Sequence, residues 1–272
     1  MLRWGRAGSR DAGLAGGADR CPKHLVCFDD AGGLPGEEDG AIGKALYRGG
    51  CTDTGHTMKT LSLISRCDTL SPAAFRHYYE HHHCWLAMKH FPFRRYIRNH
   101  VIAAPGGLDF DCVSQFAMAP GFQSGDVMGS GSRAMMLEDE RKFMKPECIR
   151  VARVREQTLV GATAAPMAAE CRRLVLMVER DGAAQTDFQA AVEAAAHALV
   201  ARSSGIRHAS LDTVHPDADF PYDALVWLSM EEGRELHRPQ LEQLPGRVTP
   251  VTVSTHATPE AILARQFEAY VP

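Results

Sequence analysis

The sequence predicts an α+β fold made of the same set of elements twice over. Three observations point to it. Residues 1–57 hold 13 of the 24 glycines and show no sustained period. From Met58 onward, strand-like and helix-like segments alternate. Their order, β-α-β-β-α-β, then occurs a second time with related residues at related places. A chain of 272 residues has room for one large or two small domains.

The segments justify themselves in order. Residues 1–57 carry one isolated apolar cluster, Leu25-Val26-Cys27-Phe28. They bury too little to offset ordering entropy. They are expected to be a disordered extension, or to precede the true translation start at Met58. Residues 59–68 read as a strand. Ser71-Pro72 supplies a helix N-cap and a proline at the first helical position. The helix should run to about Lys89. Strands are expected at 94–103 and 110–118, a short acidic helix at 137–143 and a strand at 149–160. The second set comprises a strand at 172–181 and a helix at 186–202, capped by Thr186 or Asp187. Strands at 206–214 and 222–230, a helix at 231–237 and a strand at 248–255 complete it. The order of each set is that of a ferredoxin-like unit, so the expected units are 58–162 and 170–272.

The halves align without gaps through the first strand and helix. Leu61 falls on Leu174, Phe75 on Phe188, Glu80 on Glu193 and Leu86 on Leu199. One residue of slip later, Asp111 falls on Asp223. The informative part is the difference. The first helix carries Phe75-Arg76-His77-Tyr78-Tyr79-Glu80-His81-His82-His83. Where it has Tyr78, Tyr79, His81, His82 and His83, the second has only alanine and valine. The chemistry is therefore expected in the first half.

Helical geometry divides the run, because successive residues stand about 100° apart. Phe75, Tyr79, His83 and Leu86 form one stripe, expected to face the sheet. His83 is either a general acid/base or a core histidine bonded to a carbonyl. Its ordinary pKa of about 6.5 suits proton transfer near neutrality. His82 shares a stripe with Tyr78 and is a second candidate, while His81 is expected to be solvated. Tyr79 either donates a hydrogen bond to a developing oxyanion or is a core aromatic. On the next strand Tyr96 and His100 share a face; His100 is a candidate second acid/base group. Asp111 is matched by Asp223 in the bland copy, which favours a structural role. His77 and His81 have the i, i+4 spacing of metal ligands, but no third ligand is evident, so no metal is expected.

These residues resemble the EthD family of dimeric α/β-barrel proteins. The helix matches a pattern like F-R-x-Y-Y-E-x-x-H-x-x-L-A. Residues 95–100 (Arg-Tyr-Ile-Arg-Asn-His) are similar to the family's R-Y-V-Q-N-H type segment, and Phe110-Asp111-Cys112-Val113 to its F-D-x-V. The chain departs from the pattern at Cys84-Trp85, where Ala-Pro usually stands. The resemblance implies two ferredoxin-like sheets packed face to face in a barrel. It makes this chain a pseudo-dimer with itself and leaves a further homodimer open. It also implies a small-molecule pocket, with Tyr78, Tyr96, Trp85, Phe75 and Asp111 as candidate substrate contacts beside His83, Tyr79, His82 and His100.

The remaining composition excludes more than it assigns. Net charge is −3 with acid and base intermixed, which gives no support for nucleic-acid or anionic-membrane partners. The eight cysteines form no C-x-x-C pair, consistent with reduced thiols in a cytoplasmic protein. Residues 121–132 are Gly-rich but lack a phosphate-binding motif and are expected to rim the pocket. The leading expectation is a cofactor-independent dehydratase, isomerase or cyclase acting on a small apolar, aromatic or lactone-like metabolite. The alternatives are an oxidoreductase of the cofactor-free monooxygenase kind and a non-catalytic binding protein that accompanies an oxygenase.

Overall fold

In the computed structural model the described residues are 57–120, 122, 130–161, 170–216, 218–231 and 243–268. The expectations for residues 1–56, most of the 121–132 loop and the 231–237 helix lie outside them. Eight antiparallel strands close into a barrel in the order β1-β3-β2-β8-β5-β7-β6-β4. These are β1 (Thr57–Ile64), β2 (Phe93–Ala103), β3 (Cys112–Met118), β4 (Arg150–Val160), β5 (Glu170–Glu179), β6 (Ile206–Val214), β7 (Ala224–Met230) and β8 (Arg247–Ala257). The first four follow one another as β4-β1-β3-β2 and the last four as β8-β5-β7-β6. The sheets join at β2–β8, where Asn99 faces Thr255, and at β4–β6, where Glu156 faces Asp212. Closure leaves no unpaired sheet edge.

Period-2 alternation sorts each strand between two layers. Inward residues such as Leu61, Leu63, Val113, Val175, Met177 and Trp227 fill the lumen. Outward residues meet the helices. The first helical stretch comprises α1 (Pro72–Tyr78), a π turn (Tyr79–His83) and α2 (Cys84–His90). It packs with α3 (Gly131–Phe143) over β1, β3 and β2. The opposite sheet is covered by α4 (Gln185–Arg202), through Phe188, Val192, Ala196 and Leu199. A short α5 (Glu260–Gln266), not anticipated from sequence, follows β8. The caps of the two long helices differ. Ser71 accepts from the Ala74 amide as expected, whereas α4 begins at Ala184 without a side-chain cap rather than at Thr186 or Asp187.

The two halves are equivalent with a one-residue shift from the gapless alignment in the first strand. The Asp111 amide donates to the Ile64 carbonyl and the Asp223 amide to that of Val178. Leu61 pairs with Gln115 and Val175 with Trp227. Leu61 thus answers to Val175, not Leu174. A one-residue slip turns every side chain to the other face, and only this register keeps Leu61 and Val175 both in the lumen. Asp111 holds the Arg66 amide and side chain, and Asp223 holds those of Arg180 in the same way. This matched pair fixes a loop, the structural role expected for Asp111.

Candidate active site

The π turn sets the orientation of the tyrosine–histidine run. The Cys84 amide donates to the Tyr79 carbonyl, an i→i+5 bond that admits one extra residue. From Pro72 to His90 the first stretch is one residue longer than the 18-residue α4. Phe75, Tyr79 and His83 face the sheet as the 3.6 period requires. Beyond the extra residue the phase advances, so Ala87 and Met88 are buried and Leu86 is only partly so.

Between this helix, α3 and the outer faces of β1, β2 and β3 lies a cavity of about 50 Å³. It widens to about 480 Å³ of atom-free space when its open mouth is counted. Its polar lining consists of Ser62, Tyr79, His83, Tyr96, Ser114 and Glu140. Ile64, Phe91, Phe93, Phe116, Met118 and Met136 make up most of its apolar wall. The equivalent positions in the second half are apolar. The equivalences fixed above place Leu176, Val192, Ala196 and Val226 where the first half has Ser62, Tyr79, His83 and Ser114, and all four lie in the apolar core under α4. The polar lining is a property of one half alone.

His83 is 4% exposed, and its Nδ1 lies 2.9 Å from Asp139 Oδ2. The other oxygen of Asp139 accepts from the Tyr78 hydroxyl at 2.7 Å. Burial alone would raise the Asp139 pKa, but the hydrogen bonds from His83 and Tyr78 outweigh it and hold the carboxyl below its usual range. An ionised Asp139 can only accept. Nδ1 therefore carries the proton, and Nε2 of the neutral ring is left with its lone pair as a base. Phe143 lies against the imidazole at 4.7 Å. Tyr79 shares a 2.6 Å hydrogen bond with Ser114 Oγ. Burial pushes its pKa up, as it does for Tyr96. Both phenols stay protonated and can serve as neutral donors, not bases.

Glu140 is a residue that the sequence reading missed. It is 1% exposed; Oε1 accepts from Arg133 Nη1 at 3.0 Å, while Oε2 is enclosed with no hydrogen-bond partner among the described residues. Among the described residues Arg133 Nε and Nη2 have no hydrogen-bond partner. A buried carboxylate with a vacant acceptor at a pocket wall is costly unless a ligand group completes it. The available signal was its spacing. Met136, Glu140 and Phe143 stand at i, i+4 and i+7, so the carboxylate sits on the apolar stripe of α3. Asp139, one residue earlier, grips His83. No local pattern in the histidine run names either partner, because they are 56 and 57 positions away from His83.

The other sequence candidates lie elsewhere. His81 and His82 are exposed, with His77–His81 and Tyr78–His82 ring centroids 4.4 and 4.9 Å apart. Trp85 is 46% exposed and does not line the cavity. Phe75 is buried behind it, stacked on Phe143. Tyr78 is bonded to Asp139 and does not line the cavity. His100 is buried, but its Nε2 is bonded to Glu80 at 2.7 Å, away from the cavity wall. Glu80 also accepts from Arg98, and His256 stands 3.8 Å off. Of the nine candidates, the structure brings Tyr79, His83 and Tyr96 to one pocket. Among the described residues no group of three His, Cys, Asp or Glu side chains is arranged to hold a metal ion. No helix among them is long and apolar enough to cross a membrane.

Comparison with known proteins bears on the same region. No curated protein sequence matches the chain significantly. Among solved structures, an anthrone oxidase-like protein aligns at 8% identity with a TM-score of 0.49, covering 75% of this chain and 94% of its own. A protein assigned as a monooxygenase in Lactobacillus acidophilus NCFM aligns at 12% identity with a TM-score of 0.38, covering 74% and 93%. The EthD domain family matches residues 68–147, the stretch from the loop after β1 to the turn before β4, which contains the whole helix and α3. Over residues 68–147 this chain is therefore similar to the EthD domain.

Proposed function

We propose that the pocket is the active site of an enzyme that moves a proton on a small, largely apolar substrate. The observation that carries this reading is the Asp139–His83 pair at the wall of an apolar cavity. His83 Nε2 takes a proton from carbon or oxygen of the substrate, and Asp139 stabilises the imidazolium that results. The protonated phenols of Tyr79 and Tyr96 donate to the oxygen on which charge develops. Glu140, held by Arg133, receives a hydroxyl or N–H of the substrate on its vacant oxygen. A narrow apolar cavity with a wider mouth suits an aromatic or lactone-like ring, and returning the proton elsewhere on the substrate gives dehydration, isomerisation or cyclisation. We read the barrel as two ferredoxin-like units in tandem, 58–162 and 170–272, the first catalytic and the second completing the barrel as an internal partner.

The same proton abstraction serves a second reading. Apolar walls that shield a carbanion from water also admit dioxygen, so an oxidoreductase can begin with the same step. The trial is mass-resolved turnover of small aromatic and lactone compounds, with oxygen uptake recorded. His83→Ala should lower kcat/KM by about 10²–10⁴-fold, the usual contribution of a general base. Unchanged kcat/KM in a natively folded variant overturns the proposal. Oxygen uptake that tracks turnover selects the second reading, and stoichiometric binding with no product from any compound would identify a carrier.

A further inference from the structure

The lumen of the barrel is apolar at one end and charged at the other. The charged end gathers Lys59 from β1, Arg95 from β2, Glu156 from β4, Arg173 from β5 and Asp212 from β6. Lys59 Nζ, whose side chain is fully enclosed, reaches Glu156 Oε1 at 2.7 Å, Asp212 Oδ2 at 2.9 Å and Gln115 Oε1 at 2.9 Å. Arg95 pairs with Glu156. Trp227 Nε1 donates to Asp212 at 2.7 Å. These contacts engage Glu156 and Asp212 Oδ2, while Asp212 Oδ1 is enclosed with no hydrogen-bond partner among the described residues. Arg173 is the cation left over. It is 3% exposed, its guanidinium carbon sits 4.9 Å from the centre of the Trp227 ring, and its Nε is enclosed with no hydrogen-bond partner among the described residues. The Gln115 amide nitrogen is also enclosed with no hydrogen-bond partner among the described residues. Burial pulls the Arg173 pKa down to about 10, so the group is still charged at neutral pH.

Three cations against two carboxylates leave one positive charge inside the barrel. A buried, unpaired guanidinium is among the costliest groups a fold can keep. Its planar fork matches a carboxylate or phosphate, and its second face is already stacked on an indole. We propose that the charged end of the lumen binds a small oxyanion, a carboxylate or phosphate group, through Arg173 with the Gln115 amide as a further donor. This site is separate from the pocket, because Gln115 points inward from β3 whereas its neighbours Ser114 and Phe116 point outward to the pocket.

The test is thermal unfolding in sodium acetate and in sodium phosphate, against sodium chloride at equal ionic strength. Wild type should melt several degrees higher in at least one oxyanion present at about ten times its Kd. The rise should vanish in Arg173→Met and persist in His83→Ala. Arg173→Met should melt no lower than wild type in chloride, since it removes an unpaired buried charge. Arg173→Lys, which keeps the charge but loses the fork, should show a smaller rise and covers the case in which the methionine variant does not fold. An acetate response identifies a carboxylate ligand, and a phosphate response alone identifies a phosphate. No oxyanion-dependent rise in wild type, a rise retained in Arg173→Met, or a rise lost in His83→Ala overturns the proposal.

Discussion

Replacing Glu80 by glutamine tests the cluster that anchors the π turn to β2. Glu80 accepts from Arg98 Nη2 at 2.7 Å and from His100 Nε2 at 2.7 Å. Burial alone would raise its pKa, but the bonds from His100 and Arg98 prevail and take it from the usual 4.5 to about 2. His100 is held below its usual range, first by burial. Its enclosed Nδ1 has no partner among the described residues, so the ring is neutral at pH 7 and donates through Nε2. A folded pKa below the unfolded one stabilises above the unfolded value and loses that stability as pH falls through the folded value. The gap between 4.5 and about 2 corresponds to roughly 3 kcal/mol at pH 7, falling to roughly 1 kcal/mol by pH 3. Glu80→Gln should therefore lose about 3 kcal/mol at pH 7, in line with the cost of breaking a buried pair. Urea unfolding at several pH values would measure it. The wild-type advantage should narrow between pH 5 and pH 3. A loss under about 1 kcal/mol at pH 7, or a pH-independent one, would refute the argument.

Four further outcomes follow from the same geometry. Asp139→Asn should lower kcat by about 10- to 150-fold, the worth of one charge-assisted hydrogen bond of about 1.5–3 kcal/mol, and ¹⁵N spectra should report a redistributed His83 tautomer. Glu140→Gln should raise KM by about tenfold or more for substrates with a hydroxyl or N–H, and much less for those without, because its vacant oxygen is a binding group. Tyr79→Phe should cost about 1–3 kcal/mol in urea unfolding, since it strands the buried Ser114 hydroxyl. Gly246→Ala should lower Tm sharply, because at φ +86° a Cβ would stand 2.0 Å from the Glu179 carbonyl oxygen.

Much of the backbone was legible because its signals are local. Alternating apolar residues, Ser71-Pro72 and the F-R-x-Y-Y-E pattern each lie within one segment, and most segments fall within a few residues of their expected places, although the helix expected at 137–143 begins six residues earlier, at Gly131. The contrast of histidine and tyrosine with alanine and valine was equally local, and it pointed to the half that holds the pocket. Three local readings were displaced by longer-range demands. The strand register moved by one residue because Leu61 and Val175 must both face the lumen. The α4 cap moved to Ala184. The helical phase after His83 shifted because a π turn there adds a residue, which a uniform 100° step cannot represent.

The sequence by itself determined the order of elements and the Tyr79–His83 face, since each depends on spacing within a short stretch of chain. Only the tertiary structure decided which nitrogen of His83 is free, because that follows from Asp139 on a different helix. It also parted His100 from the pocket, since Glu80 claims it from the opposite side of the π turn. It brought Glu140 to the cavity and left Arg173 unpaired inside the barrel. Those outcomes arise from pairings across the closed sheet and between packed helices, and distance along the chain carries no record of them.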